Sequence, residues 1–140
     1  MLTKEVQIRF TDIDMAGHVG NTVIQQYYDM GKMGYFVEVL GMPYVWKNEG
    51  LIVVSTNTIY FDEIKAEGKI AITTQVSKLG TKSLTFLQEI IDPTTLEVKG
   101  RSESVMVAFN LVERQSFEIH AEWRERIQKH EEEFTEPCRS

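Results

Sequence analysis

The stretch TVIQQYYDMGKMGYFVEVL, residues 22–40, decides the fold because its apolar residues recur with the period of an α-helix. Two neighbouring stripes run along it for about five turns. They consist of Val23, Tyr27, Met30 and Gly34, and of Ile24, Tyr28, Gly31 and Tyr35. Apolar residues cover much of the circumference, so we expect other elements on several sides of this helix. Gly41 and Pro43 predict its end.

Two glycines lie inside the predicted helix, at positions 31 and 34. Each costs about 1 kcal/mol relative to alanine in a helix interior. The expected benefit is a close approach of the helix backbone to a neighbouring element, because a glycine has no side chain to keep that element away.

After Gly50 the apolar period drops to two, which is typical of β-strands. Four stretches show this alternation: LIVVSTNTIYFDEI, GKIAITTQVSKLG, KSLTFLQEIID and VKGRSESVMVAFNLV. The last of them groups Val105, Val107, Phe109 and Leu111 on one face. Short turn sequences separate the four stretches, so successive strands are predicted to be antiparallel. A further short strand, VQIRF at residues 6–10, precedes the long helix.

The C-terminal stretch SFEIHAEWRERIQKHEEEF predicts a second helix, with Phe117, Trp123 and Ile127 toward the body. The order of elements indicates an α+β fold, with one long helix against an antiparallel five-stranded sheet. Residues 1–134 are predicted to form a single domain, followed by a polar tail at residues 135–140. Part of the sheet edge and of the helix flank would remain uncovered. We therefore expect a homodimer that pairs edge strands.

Composition narrows the classes of function. The chain has 140 residues, 42% of them apolar, and a net charge of −6, which disfavours bulk binding of nucleic acid. A small anionic ligand is still possible, since a few local cations can hold phosphates in an acidic protein. No apolar run is long enough to span a membrane, and MLTKEVQIRF lacks the apolar core of a signal peptide, so a cytoplasmic protein is expected. The single cysteine, Cys138, provides neither a disulfide nor a cysteine zinc site.

The loop TDIDMAGHVGN, residues 11–21, concentrates acidic residues, a histidine and glycines between a strand and the helix. It resembles a calcium loop only in part, because Ala16 and Val23 stand where that loop requires oxygen ligands. Asp12, Asp14 and His18 could ligate a transition metal, but no second histidine is near. His120 and His130 fall in the predicted C-terminal helix. The sequence therefore predicts no metal site.

Two interpretations of this loop remain open from its residues alone. In a structural one, Asp12 binds backbone amides in a turn, Asn21 caps the helix and His18 is a satisfied interior polar group. In a chemical one, a carboxylate lies beside the N-terminus of the helix, where unpaired amides can hold a carbonyl oxygen as it gains charge. The carboxylate could then activate water or attack the carbonyl. This arrangement suits acyl transfer without a serine or cysteine nucleophile.

The longer stretch RFTDIDMAGHVGNTVIQQYYDMGK resembles the N-terminal signature of hotdog-fold thioesterases of the 4-hydroxybenzoyl-CoA thioesterase type. The matching positions are Arg9, Phe10, Asp12, Asp14, Gly17, His18, Val19, Asn21, Tyr27, Tyr28, Asp29 and Lys32. The order of elements over nearly the whole chain is also that of a hotdog domain, in which a sheet wraps around one long helix. The sequence departs from the signature at Gly20, Ile24 and Gly31.

The resemblance implies a role for several residues of the loop. Asp14 would be the catalytic carboxylate, acting as general base or as nucleophile, and the backbone amide of Asn21 would polarise the thioester carbonyl. His18 and Val19 would shape the pocket beside the reacting carbon, while Asp12 would support the loop.

The resemblance also implies a coenzyme A site. The pantetheine arm would pass between subunits, and residues near the later strands would meet the nucleotide phosphates. The candidates are Lys78, Lys82, Ser83 and Arg101. A solvated turn is the alternative interpretation of the first three.

Together these expectations describe a thioester hydrolase that cleaves an acyl-CoA or an acyl carrier protein thioester, without a cofactor, as a homodimer or homotetramer. Two alternatives remain: a hotdog hydratase or dehydratase that acts on acyl thioesters, and a non-catalytic acyl-CoA-binding dimer.

Overall fold

A computed structural model describes residues 1–134 of the chain. The predicted tail at residues 135–140, with Cys138, lies outside this part. The strands and helices, in chain order, are β1 (Leu2–Val6), α1 (Asn21–Glu38), β2 (Glu49–Tyr60), β3 (Ile70–Leu79), β4 (Ser83–Ile91), β5 (Val98–Asn110), β6 (Gln115–Ser116) and α2 (Ala121–Phe134). A 3₁₀ turn at Phe10–Asp12 stands between β1 and α1.

The strands form one antiparallel sheet in the order β1-β3-β4-β5-β2, so β1 and β2 are its edges. The two-residue strand β6 pairs with β5 and is a sixth strand that the sequence analysis did not predict. The first strand was placed too late in the chain. It covers Leu2–Val6, which pair with β3, and Phe10 already belongs to the 3₁₀ turn before α1.

Helix α1 lies on the inner face of the sheet, and its glycines explain how closely it can approach. A Cβ atom on Gly31 would come within 2.7 Å of Thr74 Oγ1 and 2.8 Å of Gln88 Nε2. The expectation of a close approach at this glycine is therefore confirmed.

The close approach of α1 to the sheet also determines which face of β5 points toward the helix. Ser102, Ser104 and Ala108 are buried toward α1, and Met106 fills the space beside them. Val105, Val107 and Phe109, which alternate with these residues, lie on the opposite face and are only half-buried, and Leu111 follows the end of β5. Small residues face α1 because bulkier side chains would keep the helix away from the sheet.

Helix α2 packs against the far end of the sheet. Ile127 is buried, and Phe117 and Trp123 pack against the same cluster, as the sequence analysis expected. The helix begins at Ala121, so His120 precedes it rather than lying within it. Tyr35 Oη donates a hydrogen bond of 2.5 Å to Glu131 Oε2 and ties α2 to α1. Among residues 1–134, no helix is both long enough and apolar enough to cross a membrane.

Candidate active site

The loop before α1 closes on itself and presents Asp14 at its tip. Ile13 and Val19 form an antiparallel bridge, and Asp14 N donates to His18 O at 2.8 Å. Gly17 N in turn donates to Asp14 O at 3.1 Å. Gly17 has a φ of +82°, a conformation that residues with a side chain rarely adopt. The glycine thus permits a turn tight enough to return the chain to the start of α1.

Asp14 is exposed, and one of its oxygens is fixed. Its Oδ1 accepts hydrogen bonds from Ala16 N at 2.9 Å and from His18 N at 3.3 Å. Its Oδ2 has no hydrogen-bond partner within the described part of the chain. The carboxylate is therefore oriented by the loop while one oxygen remains available to a water molecule or a carbonyl carbon.

Asp12 has a different environment, although it lies only two positions earlier. It is buried, and its Oδ2 accepts hydrogen bonds from Tyr27 Oη at 2.6 Å and from Arg9 N at 3.0 Å. The Tyr27 hydroxyl is the main reason that the pKa of Asp12 lies below its ordinary value, and the Arg9 amide adds to the effect. Asp12 thus holds the loop against α1, and its oxygens are occupied.

The N-terminus of α1 is left without a side-chain cap. Gly20 is the N-cap residue, and it has no side chain that could accept a hydrogen bond from the first turn. The structural interpretation that Asn21 caps the helix is therefore wrong, because Asn21 is the first helical residue. The first intrahelical bond runs from Ile24 N to Gly20 O at 3.0 Å, so the amides of residues 21–23 remain available. They carry the partial positive charge of the helix end.

The side chains of His18 and Val19 contact other segments of the chain. His18 Nε2 lies 2.9 Å from Glu63 Oε2, in the connection between β2 and β3. Val19 is buried in the core cluster around Tyr28, and its amide donates to Ile64 O at 2.9 Å. These contacts attach the loop to the β2–β3 connection. Sequence reasoning missed Glu63, because no periodicity or motif relates it to His18.

The coenzyme A candidates fall into two separate places. Lys78 and Lys82 are exposed and Ser83 is half-buried, all around the turn between β3 and β4. The adjoining Leu84 packs with Tyr35, on the C-terminal half of α1. Asp14 lies before the N-terminus of this helix, which is about 27 Å long. One chain therefore does not bring these candidates and Asp14 together.

Arg101 lies elsewhere, on β5 opposite Glu89 of β4. It donates two hydrogen bonds to Glu89 Oε2, from Nε at 3.1 Å and from Nη2 at 2.8 Å. Its guanidinium lies 5.5 Å from the ring centroid of Phe61. An Arg101 that is already paired in this way has fewer donors left for a phosphate.

A cavity of about 450 Å³ separates α1 from β2 and from the segment that joins them. Most of its walls are apolar, and Asp29 and Lys32 are the charged residues among them. The lining is Asp29, Lys32, Met33, Phe36, Val37, Pro43, Tyr44, Val45, Trp46, Leu51, Val53, Met106 and Leu111. On α1 the lining extends from Asp29 to Val37, away from the N-terminus of the helix. Asp14 is not among its walls.

Residues 1–134 contain no group of three or more His, Cys, Asp or Glu side chains placed to hold a metal ion. In particular, the carboxylate of Asp12 accepts a hydrogen bond from Tyr27, and the imidazole of His18 contacts the carboxylate of Glu63.

Solved structures share this fold. PA5185 from Pseudomonas aeruginosa strain PAO1 superposes with a TM-score of 0.85 at 21% identity, over 92% of this chain and 90% of that one. A thioesterase from Thermus thermophilus, complexed with coenzyme A and zinc, gives a TM-score of 0.79 at 22% identity over 93% of each chain. A 4-hydroxybenzoyl-CoA thioesterase mutant complexed with 4-hydroxybenzoyl-CoA gives 0.79 at 21% identity, over 90% of this chain and 97% of that one.

These likenesses confirm the predicted hotdog architecture, an antiparallel sheet around a long helix with a C-terminal helix. No curated protein matches the chain significantly. The model of the Thioesterase-like superfamily matches residues 8–127, which include the loop of Asp14, α1 and the four long strands after it. The chain therefore belongs to the Thioesterase-like superfamily.

Proposed function

We propose that this protein is a thioester hydrolase that cleaves acyl-CoA or acyl carrier protein thioesters to a free acid and a thiol. The observation that carries the proposal is the pairing of an exposed Asp14, oriented by its own loop through Oδ1 alone, with the uncapped N-terminus of α1. A carboxylate and an oxyanion-stabilising amide are the two groups that such a hydrolysis needs.

In the proposed reaction the thioester carbonyl oxygen accepts a hydrogen bond from the amide of Asn21. Asp14 Oδ2 takes a proton from a water molecule, and the water oxygen attacks the carbonyl carbon. The C–S bond then breaks, and the thiolate leaves and takes up a proton. Alternatively, Asp14 Oδ2 attacks the carbonyl itself, and water hydrolyses the mixed anhydride. Label found in Asp14 after a single turnover in oxygen-18-labelled water identifies the second route, because only attack of water on the Asp14 carbonyl carbon of the anhydride places it there.

We also propose a homodimer formed by the β2 edges. Strand β2 has 12 residues and an unpaired edge, whereas the other edge strand, β1, has only five. Large apolar side chains are exposed along β2 and on the neighbouring flank of α1. They are Met30, Met33, Val53, Val54, Ile59 and Tyr60. A long edge with such a surface is the kind that proteins cover by pairing.

Such a dimer would bring together the parts that one chain keeps apart. Two β2 strands related by a two-fold axis run antiparallel, so the Tyr60 end of one lies beside the Glu49 end of the other. The loop of Asp14 lies at the Tyr60 end, since Gln25 Nε2 lies 3.3 Å from Tyr60 Oη. The β3–β4 turn lies at the other end. We therefore propose that Lys78 and Lys82 of one protomer meet the phosphates of coenzyme A bound at the Asp14 of its partner, with Ser83 beside them. Arg101 pairs with Ile59 at the Tyr60 end of β2, so it would be an additional contact from the protomer that supplies Asp14.

The catalytic role is tested by thiol release from a panel of acyl-CoA and acyl carrier protein thioesters. Asp14→Asn and Asp14→Ala are expected to lower kcat at least about a hundredfold and to leave substrate binding intact, since general-base catalysis contributes that much. Asp92→Asn is the matched control, because Asp92 Oδ1 also accepts two turn amides, from Thr94 at 2.8 Å and Thr95 at 3.2 Å. Full activity of Asp14→Asn would refute the proposal. Binding without any turnover by the wild-type protein would support a non-catalytic acyl-CoA-binding dimer instead.

The coenzyme A contact is tested with two forms of one substrate. Lys78→Ala and Lys82→Ala should raise the KM for an acyl-CoA and leave the KM for the corresponding acyl-pantetheine unchanged, since the latter has no nucleotide. Equal changes for both substrates would contradict a role in phosphate binding.

A further inference from the structure

Lys32 is a buried cation in the wall of the cavity between α1 and β2. Only 5% of the residue is exposed, and Phe36, Trp46, Leu51 and Met106 are among the apolar residues around the same space. Burial of an ammonium group is unfavourable unless its donors are satisfied. The hydrogen-bond partners of Lys32 must therefore account for its burial.

The contacts of Lys32 leave most of its donors unused. Its only hydrogen bond within the described residues goes to Asp29 Oδ1, and at 3.4 Å it is long. The Asp29 side chain is 69% exposed, so this carboxylate is also hydrated. An ammonium group has three N–H donors. Asp29 balances the charge of Lys32, and the remaining donors lie beside the cavity.

Lys32 also lies on the face of α1 that begins at the proposed reaction centre. Asn21, Gln25 and Lys32 fall within an arc of about 40° around the helix axis. Gln25 shows where this face points, because its Nε2 donates to Thr58 Oγ1 of β2 at 3.1 Å. The Lys32 ammonium group lies beside Asp29, about 12 Å along the axis from Asn21. The cavity that Lys32 lines therefore lies along the same face of α1 as Asn21, beyond the contact of Gln25 with β2.

We propose that Lys32 is a specificity-determining residue that binds an uncharged oxygen, a hydroxyl or keto group, at the far end of the acyl group. The inference rests on the proposed thioesterase function and names its substrate class. An acyl chain of about ten carbons spans the distance from the Asn21 amide to Lys32. Its methylene groups lie against the apolar walls, and its terminal oxygen accepts the remaining N–H donors of Lys32. A terminal carboxylate binds less well, because Asp29 already neutralises the cation and repels a second anion.

The first experiment compares kcat/KM for three thioesters: decanoyl-CoA, ω-hydroxydecanoyl-CoA and decanedioyl-CoA. The wild-type protein should prefer the hydroxylated chain over the plain one by roughly tenfold to a hundredfold, as expected for a hydrogen bond from a charged donor. Lys32→Met keeps the length of the side chain and removes its donors, so the kcat/KM values for the hydroxylated and the plain chain should become equal. Lys69→Met is the control, since Lys69 is exposed in the β2–β3 connection. A wild-type protein without the preference, or a Lys32→Met variant that keeps it, would overturn the inference.

The second experiment changes Asp29, because its side chain is exposed and its substitution leaves the packing of the core intact. Asp29→Asn removes the neutralising charge, so kcat/KM for decanedioyl-CoA should rise relative to ω-hydroxydecanoyl-CoA. An unchanged ratio would overturn the inference about Lys32. This test does not depend on Lys32→Met, so it applies even if that variant does not fold. If no thioester is hydrolysed, only the proposed hydrolase function is refuted. The inference about Lys32 is then tested by the rise in unfolding temperature that each ligand causes. A larger rise with ω-hydroxydecanoyl-CoA than with decanoyl-CoA supports it, and equal rises overturn it.

Discussion

Tyr27 Oη donates a hydrogen bond of 2.6 Å to Asp12 Oδ2, and both side chains are buried. This bond attaches the loop before α1 to the second turn of the helix itself. It also separates the roles of the two aspartates in the loop. Asp12 is held inside by a hydroxyl and an amide, while Asp14 remains exposed and is held by the loop through Oδ1 alone. The loop is thus anchored at one carboxylate and open for chemistry at the other.

Removal of this hydroxyl should destabilise the fold. Tyr27→Phe deprives a buried carboxylate of its closest donor, so we expect the free energy of unfolding to fall by about 2 kcal/mol. Tyr28→Phe is the matched control, because Tyr28 Oη is buried and has no hydrogen-bond partner within the described residues. Loss of the Tyr28 hydroxyl should leave the free energy of unfolding unchanged or raise it. Urea unfolding of both variants at neutral pH measures the difference, and equal effects would contradict the role given to the Tyr27–Asp12 bond.

The same bond predicts a response to acid. The folded-state pKa of Asp12 is below its ordinary value of 3.8, so the unfolded chain binds this proton more readily than the folded one. Its contribution to stability is complete above the ordinary pKa and is lost as the pH falls below about 4 toward the folded-state pKa. Tyr27→Phe should therefore flatten the decline of stability in this range. Unfolding titrations at a series of acidic pH values test this, and a decline as steep as in the wild type would argue against it.

The two glycines of α1 should respond differently to alanine. Gly31→Ala would place a methyl group within 2.8 Å of Ile72 Cγ2 and even closer to Thr74, so we expect a loss of about 1–3 kcal/mol despite the better helix propensity. At Gly34 the nearest atom is Lys4 Cε at 3.1 Å, in a flexible side chain. Gly34→Ala should be neutral or stabilising. Thermal unfolding compares the two, and a neutral Gly31→Ala would mean that α1 can move away from the sheet at little cost.

Gly17 should control the orientation of Asp14. Its φ of +82° is unfavourable for alanine, whereas no atom lies within 4 Å of the position of an added Cβ. Gly17→Ala should therefore cost about 1 kcal/mol through backbone conformation alone, and Gly17→Asn less, since asparagine tolerates positive φ. If Asp14 is catalytic, kcat should fall for Gly17→Ala and recover in part for Gly17→Asn. Unchanged kcat in both variants would show that the turn does not orient the carboxylate.

Much of this architecture could be predicted from the sequence because it depends on local periodicity. The apolar stripes of residues 22–40 predicted α1, and alternation after Gly50 predicted the four long strands. Boundaries were less accurate. β1 began earlier than predicted, and the two-residue β6 carries too few residues for any pattern.

The candidate site was predicted only in outline. The loop with Asp14 before an apolar helix was recognisable, because its residues are neighbours along the chain. The partners Tyr27 for Asp12 and Glu63 for His18 were not, since they come from other turns and segments.

The sequence by itself determined the elements and the residues that surround the start of α1, because backbone periodicity and short-range turns are written in consecutive positions. Only the tertiary structure decided which aspartate is buried and which is exposed, and that Lys32 lines a cavity beside β2. Those properties depend on which distant segments pack against each side chain, and burial and hydrogen bonding there set its charge and its access to a ligand.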